Sequence, residues 1–191
     1  MNRIELAGVG IVVAAAMVGG AFAFKANAIS GRDGVVTESV SLPNVNLVDQ
    51  FGRSFALRET LAKGERIIVN FNYTTCESIC PVGNAVMDQV DEALAGSDES
   101  VRLLSITIDP RTDTQAVMAA AAREFEPSVR WLWLTGAPSE IDQLLGSLGA
   151  KVSDITLHTP LFVVGQADKD RLSIIRTMPE PEQLLAELAQ Y

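Results

Sequence analysis

Three apolar runs separated by two helix-patterned stretches constrain this chain more than any other feature. Arg66 to Phe71 (RIIVNF), Val101 to Ile108 (VRLLSITI) and Trp131 to Leu134 (WLWL) lack the regular polar–apolar alternation of a half-exposed strand. Each is predicted to be a buried strand. Between the first two, Val82, Val86, Val90 and Leu94 recur every four residues. That spacing predicts a helix from about Cys80 to Ala95, with Pro81 in a first turn that needs no N–H. Between the second and third runs a helix is expected from about Asp113 to Phe125, with Thr112 and Gln115 spaced as a capping box. Strands alternating with helices in this way build a mostly parallel sheet covered on both faces.

The flanking segments complete the order. Val45 and Leu47, then Phe55 and Leu57, flank the turn Asp49-Gln50-Phe51-Gly52 and read as a hairpin. Pro138 to Leu148 reads as a helix ended by Gly149. Leu161 to Val164 and Leu172 to Ile175 read as strands joined by a polar turn at Ala167 to Asp170. A last helix is expected over Glu180 to Gln190, with Pro181 in its first turn. The fold class is therefore α/β. A terminal β-β-α after a β-α-β unit is the thioredoxin-like arrangement, here with an N-terminal hairpin and one extra strand–helix near residues 129–148. The Trp131–Leu134 run and Met87 are expected in the core.

Leu6 to Phe24 is a run of 19 residues with no charge, between Arg3 and Lys25. As a helix rising about 1.5 Å per residue it reaches roughly 28 Å, close to a bilayer core of about 30 Å. Residues 1–28 therefore read as a membrane anchor or as a signal peptide, cleavable after Ala21-Phe22-Ala23 or Ala26-Asn27-Ala28; a buried core helix is a poor fit to a run with no polar face. Residues 29–40, polar and glycine-containing, read as a linker, and 41–191 as one domain. Either reading exports that domain. With no Arg-rich amphipathic leader, the expected location is a bacterial inner membrane with the domain in the periplasm, or the periplasm itself after cleavage. The chain carries 15 Lys and Arg against 24 Asp and Glu, a net charge of −9. Such acidity excludes nucleic acid as a partner, since that binding rests on clustered positive charge.

Two cysteines and one histidine exclude four-cysteine zinc sites and iron–sulfur clusters by count. Cys76 and Cys80 stand in Thr74-Thr75-Cys76-Glu77-Ser78-Ile79-Cys80-Pro81, directly after a buried strand and at a helix start. A helix N-terminus favours anions, and so thiolates. Residues four apart rise about 6 Å and share a face, so both sulfurs reach one metal ion or each other. A plain disulfide closing so short a loop would contribute only roughly 2 kcal/mol, and two inert thiols are out of place in an exported protein. A redox or metal role fits better. In redox chemistry Cys76 would attack a partner disulfide and Cys80 would resolve the mixed species.

His158, the sole histidine, sits in Ile155-Thr156-Leu157-His158-Thr159-Pro160-Leu161. In a thioredoxin-like fold this loop faces the cysteine loop. Two thiolates and one imidazole form a soft set suited to Cu(I), and with an added oxygen donor to Cu(II). Zinc would want a fourth ligand, which Asp109 or Asp113 could supply. No phosphate loop or nucleotide fingerprint is present, and a Ser-His-Asp arrangement would have to compete for His158.

These segments together resemble the SCO/SenC family of copper-binding, thioredoxin-like proteins that assist cytochrome c oxidase assembly. The resemblance runs through Leu47-Val48-Asp49-Gln50-Phe51-Gly52-Arg53, Asn70-Phe71-Asn72-Tyr73-Thr74 with the Cys-x-x-x-Cys-Pro run, and Ser105 to Thr114. It continues through Trp133-Leu134-Thr135-Gly136 and His158-Thr159-Pro160. It implies that Cys76, Cys80 and His158 are copper ligands. It further implies copper delivery to, or thiol reduction of, the dinuclear copper site of an oxidase subunit, with a thioredoxin-like reductant as a second partner. A thiol–disulfide oxidoreductase and a redox or copper sensor are the alternatives. Asp109 and Asp113 match the family's Asp-x-x-x-Asp; read from the residues alone, Asp113 or Thr112 caps the next helix and Asp109 hydrogen-bonds its loop. Two positions stand out. Glu77 replaces the proline common after the first cysteine, and either opposes thiolate formation or lies outward in water. Pro160 resembles the cis-proline of thioredoxins, which would favour disulfide exchange.

Overall fold

The computed structural model describes residues 35–38, 40–97, 100–166, 168–170 and 172–191. The run Leu6–Phe24, and with it the anchor or signal expectation for residues 1–28, lies outside the described residues. Among those described, no helix is long and apolar enough to cross a membrane.

The elements follow in the order β1 (Val35–Glu38), β2 (Asn46–Asp49), β3 (Ser54–Ala56), α1 (Leu57–Thr60), β4 (Arg66–Asn72), α2 (Ile79–Ala93) and β5 (Val101–Thr107). Then come α3 (Gln115–Ala122), β6 (Trp131–Gly136), α4 (Pro138–Ser147), β7 (Phe162–Gln166), β8 (Leu172–Ile175) and α5 (Pro181–Leu188), with a 3₁₀ turn at Ile155–Leu157 before β7. The strands form one sheet, ordered β1-β8-β7-β4-β5-β6-β2-β3. The α/β class, the N-terminal hairpin (β2–β3) and the added strand–helix (β6–α4) match expectation.

The sheet is mixed rather than mostly parallel. Among the described residues only β4·β5 and β5·β6 run parallel, each joined through a helical crossover, α2 or α3. The β7–β8 hairpin docks antiparallel on β4, and β2 docks antiparallel on β6. Alternating strands and helices reveal crossovers but do not say where hairpins attach. Within the segment expected as linker, Val35–Glu38 forms β1 and pairs with the otherwise open edge of β8; Val35 and Val36 are β-branched and suited to that edge.

Each central strand feeds two cores. Ile67, Val69 and Phe71 of β4 join Leu104, Ile106, Leu132 and Leu134 beneath α4. Ile68 points the other way, with Leu103, Trp131 and Trp133, under Met87 and Val90 of α2, Met118 of α3 and Leu184 of α5. A fully buried side chain of this kind is worth about 1.5–3 kcal/mol, and the pleat delivers one to each layer in turn. The buried stripe of α2 runs through Cys80, Gly83, Val86, Met87 and Val90, while Val82 is exposed. Gly83 faces the Phe162 ring, which a Cβ there would meet at an ordinary 3.5 Å. α4 ends as its glycine predicts: Gly149 has φ +59°, Ala150 N–H donates to Leu145 O and Gly149 N–H to Gly146 O, the paired bonds of a Schellman motif.

Candidate dithiol and metal site

β4 ends at Asn72 and α2 starts at Ile79. The loop between them carries Cys76 at the carboxyl end of the sheet, where open α/β folds place their sites. Cys76 N–H donates to Tyr73 O at 3.2 Å, which folds the loop back on itself. Both cysteines are free thiols and both are buried. Ser78 is the N-cap of α2 but makes no side-chain cap bond. The orphan N–H groups of the first turn therefore need another acceptor, and the Cys80 N–H finds it in Cys76 Sγ at 3.3 Å. The Ser78 hydroxyl lies 3.8 Å from the same sulfur.

This arrangement separates the two thiols. Burial resists ionisation of Cys76. Hydrogen bonds from the Cys80 thiol, the Ser78 and Cys80 backbone N–H groups and the Ser78 hydroxyl outweigh it and bring the thiol down to about 7. Cys80 is pushed up to about 12, first by burial and then by its hydrogen bond to Cys76. At neutral pH Cys76 is substantially thiolate and Cys80 is a thiol. Glu77 is exposed, so the outward alternative holds for that carboxylate. Tyr73, beside the sulfurs, is raised by burial and by Cys76.

Asp113 is wholly buried and anchors the cysteine loop. Its carboxylate accepts from Thr74 N–H at 3.0 Å, from the Thr74 hydroxyl and from the Thr107 hydroxyl. Neither Asp113 nor Thr112 caps α3: Thr114 is the N-cap, without a side-chain cap bond. Gln115, expected in the capping box, donates its amide to Gln50 O at 2.7 Å. Asp109 shapes its loop through the backbone, donating to Thr107 Oγ1 and accepting from Thr112 and Asp113 N–H groups. With both oxygens already engaged, Asp113 is a poor fourth ligand for zinc. The Thr74 partner of Asp113 lies 39 residues away in the chain, a contact that local spacing does not display.

His158 follows the 3₁₀ turn and is half-buried. Its Nε2 lies 3.2 Å from Phe71 O. A carbonyl only accepts, so Nε2 carries the proton and Nδ1 keeps its lone pair. Burial holds the imidazole pKa below its ordinary value, partly offset by that hydrogen bond. A neutral imidazole with one N–H on a carbonyl is the usual state of a metal-ligating histidine. The register explains the contact: β7 lies antiparallel to β4, so the histidine loop reaches the end of the strand that feeds the cysteine loop. Yet His158 lines a small cavity of about 100 Å³ with Lys151, Thr159 and Arg176, while the cysteines line another. Among the described residues no three His, Cys, Asp or Glu side chains stand ready around one metal position. The structure thus joins the two sulfurs and keeps the imidazole on the adjacent loop. No peptide bond among the described residues is cis; Thr159–Pro160 takes the trans form that X–Pro bonds favour by about 0.5–1 kcal/mol.

A family model described as SCO1/SenC matches residues 41–191. The mitochondrial SCO2 homolog of Bos taurus is 32% identical over 140 residues, covering 70% of this chain and 51% of its own. The chain spans about half the length of the curated relatives it matches. BsSco, a member of the Sco family of cytochrome c oxidase assembly proteins in which a disulfide switch was identified, superposes with a TM-score of 0.68 at 26% identity, over 79% of this chain and 92% of that one. Copper-bound ScoI of Bradyrhizobium japonicum gives a TM-score of 0.64 at 25% identity, over 79% of this chain and 99% of that one. With the family model spanning the whole thioredoxin-like domain, the chain belongs to the SCO1/SenC family.

Proposed function

We propose that this protein is a copper-carrying assembly factor that binds one copper ion through Cys76, Cys80 and His158 and passes it to the copper site of a cytochrome c oxidase subunit. The observation that carries the reading is the pairing of a thiol lowered to about 7 with a neutral imidazole whose Nδ1 is free on neighbouring loops. Copper is the cargo. The two sulfurs receive Cu(I), and the histidine loop moves to bring Nδ1 onto the ion, giving up part of its contact with Phe71 O. The copper-bound Bradyrhizobium protein supports this reading. The domain is exported, held at a bacterial inner membrane or released into the periplasm.

Cu(I) titration of the reduced protein tests it. One equivalent is expected to bind, and His158→Ala is expected to weaken binding by at least tenfold. Stoichiometry well below one, or unchanged affinity in the variant, removes the three-ligand carrier.

The split between the thiols favours a second use of the same site, disulfide reduction. The Cys76 thiolate attacks a partner disulfide, one partner sulfur leaves as thiolate, and a mixed disulfide forms. Cys80 then loses its proton and attacks Cys76 Sγ, releasing the second partner thiol. Two electrons pass to the partner, and the Cys76–Cys80 disulfide is re-reduced by a thioredoxin-like dithiol.

A further inference from the structure

The face of β4 that looks onto α2 begins apolar with Ile68 and turns polar at Asn70 and Asn72, two residues apart and so on the same face. Both asparagines are 2% exposed. A buried amide costs free energy unless it is hydrogen-bonded, and an apolar pair of similar shape in its place packs without that cost. Stability therefore does not account for two of them. What they share is an acceptor. Asn70 Nδ2 donates to Asn84 Oδ1 at 3.1 Å, and Asn72 Nδ2 donates to the same oxygen at 2.8 Å. The bonds behind them agree with that orientation. Trp131 Nε1, which can only donate, donates to Ser105 Oγ at 2.9 Å, and the Ser105 hydroxyl donates to Asn70 Oδ1 at 2.6 Å. The amide nitrogen of Asn70 is left to face α2.

Asn84 lies four residues beyond Cys80, one turn along α2 and on the same side. Asn72 closes β4 four residues before Cys76. The shared oxygen thus ties together the two points between which the cysteine loop is strung. The first turn of α2 has no side-chain cap, and it meets the loop through the Cys80 N–H on Cys76 Sγ at 3.3 Å. Such a bond is strong while the sulfur carries charge. Bonding of Cys76 Sγ to Cys80 Sγ removes that charge and weakens the hydrogen bond. A tie that holds the helix start where it stands therefore favours the dithiol over the disulfide.

We propose that Asn84 is a positioning residue of the dithiol: its side-chain oxygen holds the start of α2 against the end of β4 and so biases the Cys76–Cys80 pair toward its reduced form. The inference rests on the reading of the pair as a disulfide reductant. It adds the device that sets the poise of the pair, and it assigns that device to residues that touch neither partner nor metal.

The test is equilibration of the full-length protein with glutathione buffers. The dithiol gives two electrons and two protons to glutathione disulfide, which leaves as two thiols while the Cys76–Cys80 bond forms. Asn84→Leu, of similar size but without the acceptor, is expected to shift this equilibrium at least threefold toward the protein disulfide. Asn72→Ala removes the nearer donor and should shift it the same way by less; it carries the test if Asn84→Leu fails to fold. The double variant should go no further than Asn84→Leu, because both act through one oxygen. Asp91→Ala is the control. Asp91 also lies on α2, where its buried carboxylate accepts from the Ser128 N–H and hydroxyl, but it is three turns beyond Cys80. It should lower stability in urea and leave the equilibrium unchanged. No shift in Asn84→Leu, a shift toward the dithiol, an equal shift in Asp91→Ala, or additive effects in the double variant overturns the proposal. If the unmodified protein forms no Cys76–Cys80 disulfide in any glutathione buffer, disulfide reduction falls on its own. Hydrogen exchange at the Cys80 amide then decides the clamp: Asn84→Leu should speed it at least tenfold and Asp91→Ala should not, and an unchanged rate in Asn84→Leu removes the clamp as well.

Discussion

At the scale of single residues, the site is a matter of where protons sit. Cys76 falls from an ordinary 9.0 to about 7, so its alkylation rate by iodoacetamide is expected to rise with pH about a midpoint near 7. Ser78→Ala, which removes a hydroxyl donor 3.8 Å from the sulfur, moves that midpoint up; an unchanged midpoint contradicts the assigned role of Ser78. The same asymmetry sets the pH dependence of stability. Between pH 7 and 9 the unfolded reduced chain holds a proton on Cys76 that the folded chain has released, so the reduced protein gains stability as pH rises through that window. Above pH 9 Cys80, protonated up to about 12, reverses the trend. Urea denaturation of the reduced form across this range tests both limbs. Asp113 makes the other residue-level prediction. Asp113→Ala leaves the Thr74 N–H and two hydroxyls without their acceptor and is expected to cost about 2–4 kcal/mol in denaturation. It also loosens the cysteine loop, which faster alkylation of the buried Cys80 would report.

At the scale of elements, two glycines behave oppositely. A Cβ on Gly136 would meet Leu47 Cδ2 at 2.9 Å and Asn46 O at 3.2 Å. The backbone oxygen cannot swing aside, so Gly136→Ala should strain the β2–β6 pairing and cost about 1–3 kcal/mol. Gly83 lies inside α2, where a Cβ would meet Phe162 at an ordinary 3.5 Å. Gly83→Ala should therefore gain up to about 1 kcal/mol from helix propensity. Equal signs for the two variants in thermal denaturation would defeat the argument. Elements also show how far the sequence can be read. β4 was legible because RIIVNF is apolar throughout, and α2 because its apolar residues repeat. β1 was not, since four residues carry no readable period and their partner β8 lies about 135 residues away in sequence. The capping box at Thr112–Gln115 had the right spacing, but Gln50, arriving from the β2–β3 turn, claims Gln115. Local pattern was overridden by a long-range contact. The cysteine pair was legible for the opposite reason: its geometry is local, set by one loop and one helix start.

At the scale of the whole molecule, the site is an edge shared by two loops that come from distant parts of the chain. β4 and β7 are antiparallel neighbours, so the end of β4, which leads to Cys76, lies beside the start of β7, which follows His158. This juxtaposition depends on pairing that no single stretch of sequence displays; only the thioredoxin-like order of elements sets the histidine loop opposite the cysteines. It also leaves the two halves differently prepared. The sulfurs are already joined by the first turn of α2. The imidazole is parked on Phe71 O, at the end of a loop whose Leu157 is exposed. If the proposed three-ligand copper site forms, closure onto the ion orders the histidine loop, and that ordering is measurable. Cu(I) added to the reduced protein is expected to slow amide hydrogen exchange in two separate segments, residues 73–80 and residues 152–161. In His158→Ala only the first segment should slow. Protection confined to the cysteine loop in the unmodified protein would mean that copper is held by the dithiol alone, with the histidine loop left where it stands.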